Sequence, residues 1–312
     1  MFGLCIVRDE ADIVGEALSH AAERLDRIFV LDNGSTDGSY EIVRELAELL
    51  PNVEVVGRSH EPFRDSLRSD LFQRCRHAAT DGDWWCRLDA DELYVDEPRA
   101  FLAAVPPRYD AVFATHFIFY FTDKDLEDYE RDPTAWLATP VTERLRWYRS
   151  AWAELRFVRH DRRMRWIGTP WPDRLPRVHR ERIGLRHYRY RSPQQIERRL
   201  GIRRQIFKSG RPVFKHDFGP WSLFLPTEDD ASAWRERIAR SSECDFDTGT
   251  NELVVRQDLL RPLPPDASDL RVALSSVRRR VQRLPGVRAA VRRMRPPSAT
   301  GGGVAEASSR RR

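Results

Sequence analysis

Asp89 and Asp91 stand two residues apart at the end of an apolar run, Trp84-Trp85-Cys86-Arg87-Leu88-Asp89-Ala90-Asp91-Glu92. Charges cost several kcal/mol to desolvate, so carboxylates that close a core strand need a compensating partner. In extended backbone the two point to the same side, and the small Ala90 between them leaves room for a ligand. Hard oxygen donors presented as a pair suit Mg²⁺ or Mn²⁺, which keep positions open for water and phosphate oxygens. The plain alternative is a solvated turn after a strand. Asp32 and Asn33 end another apolar run, Arg27-Ile-Phe-Val-Leu-Asp32, and a carboxylate there can accept from a base N–H or a ribose hydroxyl. A helix-capping role explains part or all of the Asn33-Gly-Ser-Thr-Asp-Gly38 loop equally well.

The elements that must position these residues follow from periodicity. Phe2–Val7 reads as a short buried strand, and Glu10–Leu25 as an amphipathic helix with Ile13, Val14, Ala17, Leu18, Ala21, Ala22 and Leu25 on one stripe. Arg27–Asp32 is a second strand, followed by a loop whose Ser35, Thr36 and Asp37 are good N-caps for the next helix. A third strand at Val53, a helix over Phe63–Ala79 and a fourth strand at Trp84–Asp89 complete an alternation that predicts a parallel sheet with right-handed crossovers. Tyr109–Phe121 extends the sheet, and the proline-broken stretch Thr122–Arg191 predicts short strands and functional loops. Ser192-Pro193 then opens a further helix. In an open parallel sheet ligands bind beyond the carboxyl ends of the strands, so Arg8, Glu10, Asp32, Asn33, Asp89 and Asp91 should share one rim.

The 312 residues suffice for one large α/β domain with appended elements, and 32% charged residues describe a charge-rich folded chain. The formal charge of +5 conceals an asymmetry: from Arg261 onward thirteen arginines face three carboxylates, leaving the rest of the chain at −5. A nucleic-acid partner is therefore not expected. Four cysteines without paired spacing fit a reduced cytoplasmic compartment. The chain opens directly on a strand, so no signal peptide is expected, and the longest apolar stretch, from Ala111, falls short of the roughly 18 residues that span a bilayer. The expected organisation is a domain over 1–260, its nucleotide-binding half at about 1–121 and its acceptor-side half at about 122–260. A basic amphipathic helix follows at 261–295 and a disordered tail at 296–312. The basic helix has two readings: contact with an anionic membrane surface near a lipid-linked acceptor, or a solvated charged face.

The segments Ile6-Val-Arg-Asp-Glu-Ala-Asp-Ile, Val30-Leu-Asp-Asn-Gly-Ser-Thr-Asp-Gly-Ser and Trp84–Tyr94, with a later Arg186-His-Tyr-Arg-Tyr-Arg-Ser-Pro-Gln-Gln, resemble family 2 glycosyltransferases. The resemblance is to the subgroup with D-N-G-S-T-D-G, D-A-D-E and H-Y-x-x-R-S motifs. The resemblance runs from about Phe2 to Lys208. It implies a GT-A-like, Rossmann-type, mostly parallel sheet flanked by helices, with a C-terminal helical extension. It also implies a metal-dependent hexosyltransferase that moves sugar from a nucleoside diphosphate donor to a hydroxyl acceptor on a glycan or lipid-linked saccharide. Position by position, Asp32 would meet the nucleobase or ribose, flanked by Arg8 and Glu10. Asp89, Asp91 and His187 would hold the Mn²⁺ or Mg²⁺ on the donor diphosphate, and Arg191 and Gln195 follow the same pattern more loosely.

Physical chemistry supports the same roles, since a neutral His187 can ligate a metal and Arg191 can grip a phosphate through two N–H groups. His187 beside Tyr188 and Tyr190 also reads as a packed core histidine. Arg68 and Arg74, on the helix ahead of the D-x-D strand, reach the nucleotide or are ordinary surface arginines. An inverting transfer needs a general base, for which Asp173 is the candidate with Asp217 and Glu92 behind it, and Trp171 offers a face to an acceptor sugar. The rival readings are a haloacid dehalogenase-like phosphatase, which also carries D-x-D after a strand, and a non-catalytic nucleotide- or glycan-binding module. The expected setting is cytoplasmic, with peripheral contact at the inner membrane face through the basic helix.

Overall fold

The computed structural model describes residues 1–64, 66–173, 177–208, 237–248 and 253–254. The expected basic helix at 261–295, the tail at 296–312 and Asp217 lie outside them. Nine strands and eight α-helices are described: β1 Phe2–Val7, α1 Val14–Ala22, β2 Arg27–Asp32, α2 Ser39–Leu49, β3 Val53–Arg58, α3 Leu67–Cys75, β4 Trp84–Asp89, β5 Glu92–Tyr94 and α4 Pro98–Ala104. They continue as β6 Ala111–Phe119, α5 Asp123–Arg131, α6 Pro133–Ala138, α7 Val141–Arg144, β7 Trp147–Arg159, β8 Ile183–Tyr188, α8 Pro193–Lys208 and β9 Asp245–Phe246.

The strands form one sheet in the order β3-β2-β1-β4-β7-β6-β8-β5, with β9 beside β7. Its first half is parallel throughout, β1 pairing with both β2 and β4. Beyond β4 the sheet is mixed: β7 runs antiparallel to β4 and β6, β8 is parallel to β6, and β5 is antiparallel to β8. Only Ala90 and Asp91 separate β4 from β5, yet three strands lie between them in the sheet order. At roughly 4.8 Å per strand two residues cannot bridge a flat sheet, so the sheet curls and brings its far edge back to the end of β4.

Side-chain alternation sorts the core. Cys5, Val7, Val30, Cys86 and Leu88 face α1 and α2, burying Val14, Leu18 and Val43. Leu4, Ile6, Phe29, Leu31 and Trp85 face α3, burying Leu67, Leu71 and Phe72. A third cluster of Phe117, Phe119, Trp136, Tyr148, Tyr188, Ile196 and Leu200 seats α6 and α8. Because Trp85 faces α3, the period of two carries Arg87 and Asp89 to that side as well.

The four leading strands stand where periodicity places them, and α1 and α3 are shorter than the expected helices because their leading residues belong to loops. The segment after Thr122 departs further from expectation. Instead of short strands alone it contains α5, α6, α7 and the thirteen-residue β7, whose β-branched signal is diluted by arginine and alanine.

Candidate functional site

Strand register sets the rim. Val7 of β1 pairs with Asp32 of β2, and Ile6 pairs with Asp89 of β4, so the ends of three strands lie side by side. Beyond β1, Asp9 adopts φ 53°, a left-handed conformation unusual outside glycine. Its surroundings enforce it: the Asp9 amide donates to Ser35 Oγ at 3.1 Å, and its carboxylate accepts from the Thr36 amide at 2.7 Å. Asp37 accepts from the amides of Ala11 and Ser39, both at 3.1 Å, and Ser39 Oγ accepts from the Glu10 amide at 2.7 Å. The polar loop after β2 therefore laces the loop after β1. The N-cap of α2 is Gly38 at φ 96°, where sequence suggested Ser35, Thr36 or Asp37.

Asp32 is 1% exposed, and its carboxylate accepts from the amides of Gly34 and Ser35 at 3.0 and 3.1 Å and from Arg58 Nε at 3.0 Å. It orders its own loop. Asn33, equally buried, donates to the carbonyls of Ser59 and Glu61. Arg8 has no ion-pair partner among the described residues, and its buried Nε lacks a hydrogen-bond acceptor.

Asp89 and Asp91 diverge. The strand ends at Asp89, and Ala90 and Asp91 form a turn, so the shared side expected of extended backbone is lost. Asp89 binds the guanidinium of Arg68, Arg156 at 3.0 Å and Arg87 at 3.5 Å. Burial alone would raise its carboxyl, but Arg68, Arg87 and Arg156 outweigh that and hold it well below the usual carboxylate range. Asp91 instead faces His187 Nε2 at 3.3 Å and Arg199 at 3.4 Å. Burial opposes its ionisation too, and His187 and then Arg199 and Arg191 reverse the balance. The curl delivers His187, because β8 pairs it with Glu92 of β5, one residue past Asp91.

A second cluster lies behind this pair. Glu92, His116 and His187 bring one ligand atom each within 4.8 Å of one another. Arg156 Nη2, however, stands 2.6 Å from Glu92 Oε1 and 2.9 Å from His116 Nε2. A guanidinium already occupies the place a cation would need, and Arg156 is fully buried there. That triad does not fit a metal ion. Asp91 and His187 fit one better: a carboxylate oxygen and an imidazole nitrogen stand side by side, while the other ring nitrogen, His187 Nδ1, faces Glu92 Oε1 at 3.8 Å, beyond hydrogen-bond range.

Among the other sequence candidates, Arg68 is buried on Asp89, and Arg74 is exposed with its guanidinium beside Gly57 of β3. Arg191 is fully buried. It donates to Asp12 at 2.8 and 2.7 Å, to Glu10 and to the Tyr188 carbonyl at 2.6 Å. Burial raises the Glu10 carboxyl to about 7, with Arg191 opposing and Asp91 adding. Asp173 sits in a loop docked on α3, where the Gly168 amide donates to Ser69 Oγ at 3.0 Å and Gln73 donates to the Trp166 carbonyl at 2.7 Å. Its neighbour Trp171 lies under the Arg87 guanidinium at 5.3 Å and stacks on Trp166, so the loop reaches Asp89 through Arg87.

Sequence reasoning missed His116, Arg156 and Arg199. A lone histidine inside Ala111–Phe119 was the available signal for the first; the two arginines look like any others in an arginine-rich chain.

Residues 5–156 match the model of glycosyl transferase family 2. This segment belongs to that family. It runs from the second half of β1 through most of β7, including Asp32, Asp89 and Asp91, whereas His187, Arg191 and Arg199 lie beyond it. A TPR repeat-containing protein of Synechococcus elongatus is 36% identical over 96 residues, covering 30% of this chain and 21% of that protein. A mannosyltransferase from Pyrobaculum calidifontis, solved with GDP-Man and Mn²⁺, overlaps 36% of this chain and 34% of its own at 23% identity and TM-score 0.30. S. aureus TarS overlaps 39% and 36% at 18% identity and TM-score 0.28. The chain thus spans about a fifth of that curated relative and about a third of each of these structures, and the fold rests on the strand order above.

Proposed function

We propose that the chain transfers a sugar, a hexose in the simplest case, from a nucleoside diphosphate sugar to a hydroxyl acceptor, with inversion at the sugar carbon. The acceptor would be a glycan or a lipid-linked saccharide in glycan or cell-surface polysaccharide assembly. The observation that carries this reading is that His187 at 3.3 Å and Arg199 at 3.4 Å both converge on the Asp91 carboxylate, at the carboxyl edge of the sheet that the family 2 segment begins. Asp91 and His187 would hold Mn²⁺ or Mg²⁺, and a bound ion would supply positive charge against the diphosphate leaving group. Asp89 keeps Arg68, Arg87 and Arg156 in place at the floor of the site. Asp32 and Asp9 hold the loops against which the nucleoside lies, and Arg8, which has no ion-pair partner among the described residues, contributes a cation there. On the acceptor side Asp173 takes the hydroxyl proton and Trp171 carries the sugar face.

A phosphatase would need an Asp89 carboxylate free to attack phosphorus, and Asp89 spends its oxygens on guanidinium groups. The non-catalytic reading differs by predicting binding without release of the nucleoside diphosphate. The proposed setting remains cytoplasmic, with the domain over 1–260 and a basic segment at 261–295 on the inner membrane face. Among the described residues no helix is long and apolar enough to cross a membrane.

A thermal-shift panel of nucleotide sugars with Mn²⁺ or Mg²⁺ tests the donor site. A ligand at 100 times its Kd should stabilise the protein by about 2.7 kcal/mol. One nucleotide family should raise Tm only with metal present; a panel with no shift contradicts the proposal.

A further inference from the structure

Two arginines from the same stretch of chain share Glu10, and each adds a second carboxylate, Asp12 for Arg191 and Asp91 for Arg199. Arg191 is fully buried and holds Asp12 at 2.7 and 2.8 Å, within the normal range for charge-assisted hydrogen bonds. Arg199 lies on α8, whose Ile196 and Leu200 are anchored in the third core cluster. Its Nη1 stands 3.5 Å from Glu10 Oε1 and 3.4 Å from Asp91 Oδ2, outside the usual N–H···O range for both, and its side chain is 23% exposed. The neighbouring Arg198 fixes α8 to the loop after β2 through Asp37 at 2.7 Å. Arg199 is therefore a cation held over the rim by a core-anchored turn of α8, with neither acid inside the usual N–H···O range.

We propose that Arg199 is a phosphate-binding residue of the donor site, contacting the distal phosphate of a nucleoside diphosphate and drawing on the same Asp91 carboxylate that a divalent ion would use. This rests on the donor-site reading above and assigns a role outside the family-matched residues 5–156. A guanidinium loosely held between carboxylates can turn to a phosphate without abandoning a strong ion pair, and its planar N–H groups match phosphate oxygens. While it leans on Asp91, it also opposes binding of a cation there. Removing it should therefore have two effects of opposite sign: weaker nucleoside diphosphate binding and tighter binding of metal alone.

The test is calorimetric titration of the full chain and its Arg199→Met and Arg199→Lys variants with UDP, GDP, CDP and dTDP in Mn²⁺, with the matching monophosphates, and with Mn²⁺ alone. The expected result is a diphosphate that the wild type binds and that Arg199→Met binds at least tenfold more weakly. Binding of the monophosphate should change less than twofold, Mn²⁺ alone should bind more tightly, and Arg199→Lys should recover part of the diphosphate affinity. Equal losses for mono- and diphosphate, or no loss, overturn the assignment while leaving the donor site standing. Absence of nucleotide binding by the wild type overturns the donor-site reading and this inference with it. Arg199→Lys keeps the charge and the stem, so it decides the matter if the methionine variant does not fold.

Discussion

At the scale of single residues, the candidate site is a contest between arginines and an expected cation for the same carboxylates. Asp89 and Asp91 were legible because charge at the end of an apolar strand demands a partner, and His187 was legible from its motif. Which partner each would take was not legible, because the turn at Ala90 separates the two carboxylates and the compensating groups come from α3, β7 and α8. Arg191 shows the consequence. Read from sequence as a phosphate ligand, it is a fully buried clamp joining Glu10 and Asp12 to the end of β8. Removing one partner of a buried pair leaves the other uncompensated, so Arg191→Met should lose about 3 kcal/mol of stability in urea unfolding. A variant of unchanged stability that lost only nucleotide affinity would return Arg191 to the ligand-binding role.

At the scale of elements, the curl of the sheet decides which strands can share a site. Periodicity predicts β1 to β4 well because each alternates with a helix. It does not reveal that the three-residue β5 pairs with β8, a contact between residues more than ninety positions apart. Helix α1 helps fix that edge: the Tyr94 amide of β5 donates to His20 Nε2 at 3.0 Å, and the two rings stack. Burial, with Arg24 adding, lowers the His20 imidazole to about 4. Its folded value thus lies below the unfolded value near 6.5, so the unfolded chain binds the proton more readily. The stabilising contribution is complete above about pH 6.5 and is lost as pH falls toward 4. Measured as the difference between wild type and His20→Gln in chemical unfolding across pH 4 to 7.5, the wild type should lose ground steadily over that window. A difference that is flat with pH would show that His20 titrates alike in both states.

At the scale of the whole molecule, the family-matched residues build a parallel half-sheet with a carboxylate-lined rim, and the chain beyond them returns β8 and α8 to complete it. Strand ends gave the first part from sequence alone. The second depends on tertiary pairing, which placed His187 and Arg199 against Asp91 without any local signal at Arg199. The proposed function requires this rim to bind a nucleotide sugar through Asp91 and His187 and to cleave it. Its most direct measurement is release of nucleoside diphosphate from a panel of nucleotide sugars by the wild type and an Asp89→Asn, Asp91→Asn double variant, with Mn²⁺ and with chelator. The expected result is turnover of one donor by the wild type, stopped by chelator and reduced at least a hundredfold in the double variant, about 2.7 kcal/mol of lost transition-state stabilisation. Full metal-dependent turnover by the double variant would contradict it.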